Sequence, residues 1–308
     1  MTGGPFVLSD ELRQATNRLR DAGIEGSATD ARLLIAAAAG LSREDMLYDP
    51  DLKLSPDQKT RAETMIHRRA DREPVSRILG RREFYGLSFE VTPVTLDPRP
   101  DSEVIVEAAI DYALCMGGKP TVLDIGTGTG CLLLSTLEAL PEAIGTGTDI
   151  DPEAVAAACR NAHSLGCASR VKFQTSDWLS GVQGRFDIVL SNPPYIPSGD
   201  IANLAPEVSQ YDPWSALDGG SDGLDAYRVL ADRIPETLAP SGIALMEIGA
   251  GQADDVTGLF SAAGWHILEN RADLAGHDRC LVFARKTAPH WLTHPPPKKG
   301  VGNRMNPD

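Results

Sequence analysis

Asn192-Pro193-Pro194-Tyr195 follows the apolar run Phe186-Asp187-Ile188-Val189-Leu190-Ser191, which reads as a strand emptying into a loop. The strand end delivers a side-chain amide, two rigid prolines and an aromatic ring, a set suited to holding a flat, polar, nitrogen-bearing group. An amide nitrogen shares its lone pair with its carbonyl, so a site that uses it as a nucleophile must orient it and hold its hydrogens. The Asn192 side-chain oxygen can accept one N–H and the Pro193 carbonyl the other, leaving the nitrogen face aimed at an electrophile. Tyr195 is expected to pack on the planar group and to attract a cation through its ring. The plain alternative is a tight turn after a strand, since Asn-Pro often marks one.

Upstream, Val122-Leu123-Asp124-Ile125 runs into Gly126-Thr127-Gly128-Thr129-Gly130, a strand followed by a glycine loop that lets a ligand approach the backbone. A dinucleotide fingerprint places its third glycine three residues after the second. Here the gap is two, and the loop instead resembles the first motif of the Rossmann-like methyltransferases, which contacts the methionine moiety of S-adenosylmethionine. Asp149 closes the next apolar run, where a carboxylate can accept both ribose hydroxyl protons. Asp151 precedes Pro152 and reads better as a helix N-cap. In Ser176-Asp177-Trp178, Asp177 can accept from an exocyclic amine while Trp178 packs on a ring, although Trp178 as plain core is an equal reading. A methyl donor beside an amino-group acceptor accounts for the set.

The elements that must position these residues follow from the apolar periods. From Ser9 to Asp71 the pattern is helical: Leu12, Ala15 and Leu19 share a face, the run 31–39 stops at Gly40, and Ser55-Pro56-Asp57-Gln58 forms a capping box. Around Gly86 the stretch 83–91 alternates as a hairpin, and 102–116 returns to helical spacing. Beyond Thr121, strands are expected at 121–125, 144–149, 171–175, 186–191, 242–248, 265–270 and 279–285, with helices near 130–140, 152–165, 224–238 and 252–263. The expected fold class is α/β, a Rossmann-like, mostly parallel seven-stranded sheet with its last strand antiparallel. The expected division is a helical substrate-docking domain at 1–73, a β-hairpin linker at 74–100, a methyltransferase domain at 101–286 and a disordered tail at 287–308.

The formal net charge of −14, from 29 basic and 43 acidic residues, argues against wide contact with a phosphate backbone. Locally, Lys59, Arg61, Arg68, Arg69, Arg72, Arg77, Arg81 and Arg82 face only Glu63, Asp71 and Glu73, so 59–82 is either a solvated helix face or a docking patch for an acidic protein. Five cysteines without a C-x-x-C pair are expected to be reduced thiols, with no disulfide and no metal. No run approaches the roughly 20 apolar residues of a membrane span, and the start lacks a secretory pattern, so the expected location is cytoplasmic.

Seven stretches carry a specific likeness: Glu73 to Gly80, Arg82 to Leu87, Pro98 to Glu103, Asn192 to Pro197, Ala216 to Leu224, Glu247-Ile248-Gly249 and Asp273 to Arg279. Together they resemble the release-factor glutamine methyltransferases, the PrmC or HemK family, over roughly residues 10 to 286. The resemblance implies methyl transfer from S-adenosyl-L-methionine to the glutamine side-chain nitrogen of the Gly-Gly-Gln motif in peptide chain release factors 1 and 2. It implies Asn192, Pro193 and Tyr195 as catalytic, Asn192, Pro193, Pro194 and Tyr195 as substrate-binding, and Gly126 to Gly130, Asp149, Asp177, Trp178 and Asn192 around the cofactor. Neither nucleic acid nor membrane is an expected partner. A ribosomal-protein glutamine methyltransferase and an adenine-N6 DNA methyltransferase are the alternatives, because a carboxamide and an exocyclic adenine amine present the same two hydrogens. Asp97, Ser102 and Arg77 depart from the family pattern, and these departures are expected to touch the linker more than the site.

Overall fold

A computed structural model describes residues 6–285, so the expected tail at 287–308 and the end of the expected methyltransferase domain lie outside the described residues. The chain divides into two compact units, one of residues 1–81 with 204–212, the other of 82–203 with 213–308.

The first unit opens with β1 (Phe6–Val7), α1 (Leu8–Asp21), α2 (Ser27–Ala39), α3 (Arg43–Tyr48), β2 (Lys53–Leu54), α4 (Pro56–Ala70) and α5 (Val75–Leu79). Leu8, Ala15 and Leu19 line one face of α1 and pack with Leu34, Ile35 and Ile66 in a single apolar cluster. Gly40 ends α2 in the left-handed conformation that a side chain would disfavour. At α4 both bonds of the expected capping box form between Ser55 and Gln58.

Much of the basic stretch is paired within its own unit. Lys59 pairs with Glu11, Arg68 with Glu73, Arg69 with both Asp30 and Glu207, Arg72 with Glu207, and Arg77 with Asp212. Glu207 and Asp212 come from the 204–212 excursion, which the order of the sequence places in the methyltransferase domain but which packs with the helices. Arg68, Arg69 and Arg72 each pair with carboxylates of their own unit.

The second unit begins at the hairpin β3 (Arg81–Phe84) and β4 (Leu87–Glu90), whose two-residue turn, Tyr85-Gly86, has both φ angles positive, as the twist of a tight hairpin requires. Then come α6 (Glu103–Cys115), β5 (Thr121–Ile125), α7 (Cys131–Ala139), β6 (Ile144–Asp149), α8 (Pro152–Ser164), β7 (Val171–Thr175) and β8 (Phe186–Ser191). After the excursion, with its short α9 (Pro206–Ser209), follow α10 (Asp225–Arg233), β9 (Leu238–Glu247), α11 (Ala253–Ala262), β10 (Trp265–Ala272) and β11 (Asp278–Arg285). The sheet order is β10-β11-β9-β8-β5-β6-β7, parallel from β9 to β7, with β11 antiparallel to both its neighbours.

Alternation along each central strand buries both faces. Val122, Ile188, Leu190, Ile243 and Leu245 join α6 and α7 in one cluster. Leu123, Val189, Ala244 and Met246 join α10 and α11 in the other. Among the described residues no helix is long and apolar enough to cross a membrane.

Candidate active site

The order of the strands fixes where a ligand can sit. After β5 the chain builds β6 and β7 to one side and then returns to place β8 on the other, so the switch point lies at the carboxyl ends of β5 and β8. Ile125 is in register with Ser191 and with Thr148. The glycine loop therefore leaves the sheet between Asn192 on one side and Asp149 on the other, with Ser176 one strand further. A cavity of 320 Å³ opens there, lined by Gly126 to Thr129, Asp149, Asp177, Trp178, Asn192, Pro193 and Pro194 among others. Gly130 does not line it, and neither does Tyr195.

Backbone and carboxylate bonds shape the glycine loop. The Gly126 and Thr127 amides both donate to the Thr148 carbonyl, at 2.9 and 2.8 Å. Thr127 Oγ1 donates to Asp124 Oδ2 at 2.7 Å, and burial pushes the Asp124 carboxyl up to about 7 against that bond. Asp149 accepts from the Gly128 amide on Oδ2 (2.8 Å) and from the Asp151 amide on Oδ1 (3.0 Å). Burial raises its pKa, while these two amides oppose the shift. Asp151 accepts from Glu153 N as the cap of α8. From that helix the buried Asn161 donates to the Thr129 carbonyl at 2.9 Å. Trp178 takes a positive φ of 53°, and it both lines the cavity and packs against the apolar cluster.

At the end of β8, Asn192 Nδ2 donates to Ser102 Oγ at 3.3 Å, and Pro193 is buried. The Tyr195 ring packs against the cluster behind the sheet, its hydroxyl pushed upward chiefly by burial. Its carbonyl accepts from Gln252 Nε2 at 3.1 Å. The stretch 216–224 braces the same loop: Ile196 N bonds Leu217 O, Gly219 N bonds Ile196 O and Ser198 N bonds Gly220 O. A side chain at Gly219 would lie 2.8 Å from Tyr195 Cα and 2.9 Å from the Pro194 carbonyl, so only glycine allows this approach.

Sequence reasoning missed Asp124, Asn161 and the cavity wall formed by Val94, Leu96, Pro98, Arg99 and Ser102. An acidic residue inside an otherwise apolar strand was the available signal for Asp124. Ser102 corrects an expectation, because this departure from the family pattern stands in the cavity against Asn192 and not in a remote linker.

Residues 10–80 match the PrmC N-terminal domain and residues 110–207 the methyltransferase small domain. The release factor glutamine methyltransferase of Rhodospirillum rubrum is 47% identical over 93% of this chain and 90% of its own length. Those of Agrobacterium fabrum and Cereibacter sphaeroides are 43% and 46% identical, covering 92% and 91% of this chain and 99% of each relative. The chain belongs to the release factor glutamine methyltransferase family. It is an enzyme of the methyltransferase class. The catalytic domain of hMettl16, solved with the MAT2A 3′UTR hairpin 6, superimposes with a TM-score of 0.52 at 15% identity, over 74% of this chain and 81% of that one, a likeness of fold alone. The glycine loop and the Asn192 loop leave neighbouring strands of this fold.

Proposed function

We propose that the protein methylates the side-chain nitrogen of the glutamine in the Gly-Gly-Gln motif of bacterial class 1 peptide release factors, giving N5-methylglutamine. Release factors 1 and 2 are its substrates and the cytoplasm its place of action. The observation that carries this reading is the adjacency of Asn192 to the glycine loop, set by the register of Ile125 with Ser191.

S-adenosyl-L-methionine, when bound, supplies a methyl group already activated by the positive charge of its sulfur. The residues present fit it. Each Asp149 oxygen accepts one backbone N–H and retains a lone pair for a ribose hydroxyl. Asp177 and Trp178 form a wall suited to an adenine, and the small surface of Gly126 to Thr129 suits the close approach of the methionine end. The cavity volume of 320 Å³ lies in the range of small-molecule sites.

With its amide nitrogen turned to Ser102, Asn192 keeps Oδ1 for one hydrogen of the target carboxamide, and the Pro193 carbonyl takes the other. Pro194 narrows the wall beside them. Tyr195 acts from behind, holding the loop against Gln252 and Gly219. The nitrogen is thereby oriented without a strong base, since methylation itself makes its proton acidic. Incubating the purified protein with labelled cofactor and, separately, a release factor, a ribosomal-protein fraction and duplex DNA tests the proposal. Label is expected on the release-factor glutamine, and label confined to either other substrate would sink it.

Asp149→Ala is expected to weaken cofactor binding by roughly 10- to 100-fold, the net loss of about 1.5–3 kcal/mol that follows removal of a charged acceptor. The change also frees the Gly128 amide, so the loop loosens as the ribose contacts vanish. Titration calorimetry reads this directly, and an unchanged dissociation constant would refute the assignment.

A further inference from the structure

Glu247 ends β9 behind the acceptor loop, and no step above uses it. The residue is 1% exposed, and its Oε2 has no hydrogen-bond partner. Ser102, itself 2% exposed, touches both: Asn192 Nδ2 donates to Ser102 Oγ, and the Ser102 hydroxyl and the Asn192 amide both favour the ionised carboxylate by hydrogen bonding. A buried carboxylate with one orphaned oxygen is costly to keep unless its charge does something.

We propose that Glu247 is a positioning residue whose charge sets which atom of the Asn192 amide faces the cavity. The inference rests on the acceptor role proposed for Asn192. A carboxylate can only accept. Ser102 must then point its proton at Glu247 and offer a lone pair to Asn192, which turns Nδ2 inward and leaves Oδ1 for the incoming carboxamide. A protonated Glu247 can donate to Ser102 instead. The Ser102 proton is then free to point at Asn192, and the amide can reverse, presenting N–H to the N–H groups of the acceptor. That donor-to-donor contact repels the substrate nitrogen from its in-line position.

Burial raises the Glu247 carboxyl to about 7, with Ser102, Arg279 and Asn192 opposing the shift and Asp101 reinforcing it. Arg279 is itself paired with Asp101 and Asp273. The other titratable groups that feel Glu247 are the Tyr195 and Tyr227 hydroxyls and the Cys131 and Cys280 thiols. Burial lifts all four above their ordinary values, so they stay neutral while Glu247 titrates. Asp124 is also held at about 7, but it braces Thr127 in the glycine loop, and its titration belongs to cofactor affinity.

The test is the pH profile of kcat on a release factor at saturating cofactor, from about pH 5.5 to 8.5. The wild-type kcat is expected to rise through about pH 7 as Glu247 ionises. Glu247→Gln, which keeps the shape and loses the charge, is expected to be flat with pH and to run at the acid plateau of the wild type, roughly 10- to 100-fold down. Its calorimetric affinity for S-adenosylmethionine is expected to be unchanged. Glu247→Asp is expected to restore a pH-dependent limb. A flat wild-type profile overturns the proposal, as does a limb that persists in Glu247→Gln. Asn192→Ala separates the two readings: full turnover in that variant removes the acceptor role and this inference with it. Lost turnover there beside wild-type behaviour in Glu247→Gln removes only the positioning role.

Discussion

Asn192→Ala is expected to lower kcat by roughly a hundred- to a thousandfold, the range that follows removal of one preorganised hydrogen-bonding group at a reacting centre. The truncation removes Oδ1 and leaves the Pro193 carbonyl as the single acceptor for a group that carries two N–H bonds. A carboxamide held at one point rotates, and the time its nitrogen spends in line with the methyl group falls accordingly. Cofactor affinity is expected to stay within a few fold, because the Asp149 carboxylate and the Gly126 to Gly130 backbone are held by bonds that do not involve Asn192. Asn192→Asp makes a sharper comparison. Its carboxylate can accept both hydrogens, yet it stands beside the buried Glu247, and two like charges there cannot both form at neutral pH. Turnover in that variant is expected to be intermediate and to climb with pH. Single-turnover kinetics with calorimetry on the same preparations separates the two steps, and a cofactor affinity that falls as far as kcat would count against the acceptor role.

The sheet of the second unit was legible because its strands are buried on both faces. Runs such as Val122-Leu123-Asp124-Ile125 and Phe186 to Ser191 are short, apolar and stopped by glycine or proline, and the observed β5 to β8 have the expected bounds. The β9 strand begins earlier than expected, at Leu238, since Pro240 and Gly242 hide a strand that carries an irregularity against Phe186 and Ile188. The α10 helix stops at Arg233 and passes into a tighter turn holding Pro235, which lacks an amide to continue the ladder. Short helices were missed for a related reason. The α3 and α5 helices span too few turns to show a period, although Ser42 with Asp45 closes a capping box and Gly80 caps α5.

What the sequence hid at the site is non-local. Ser102 meets Asn192 across 90 positions, and Arg69 meets Glu207 across 138. Spacing along a chain carries no information about such pairs. The glycine loop, Asp149 and Asn192 were legible because each ends a strand, and parallel strands bring their carboxyl ends to one edge whatever lies between them. Tyr195 shows the limit of that logic: its place in the motif is readable, whereas the side to which its ring turns depends on Gly219 and Gln252, contributed by later segments.

Arg77→Ala is expected to destabilise the helical unit by about 3–5 kcal/mol, the range for removing one partner of a buried ion pair. Arg77 donates to Asp212 Oδ1 at 2.7 Å with side-chain exposures of 6% and 1%, so the truncation removes a cation from a pair with almost no access to water. Arg77 is one of the departures from the family pattern, and its pairing with Asp212 gives the buried cation an anion of its own unit. Charge reversal at Arg68, Arg69 and Arg72 acts on the same neighbourhood, and its main effect is expected on folding, since Glu73, Asp30 and Glu207 lose their partners. Replacing both members of the pair, as Arg77→Met with Asp212→Leu, removes the buried charge and is expected to recover most of the loss. Denaturant unfolding with hydrogen exchange over Pro56–Ala70 and residues 204–212 measures both effects. Equal destabilisation by the single and the double change would mean that packing around Asp212, and not its charge, holds the excursion to the helices.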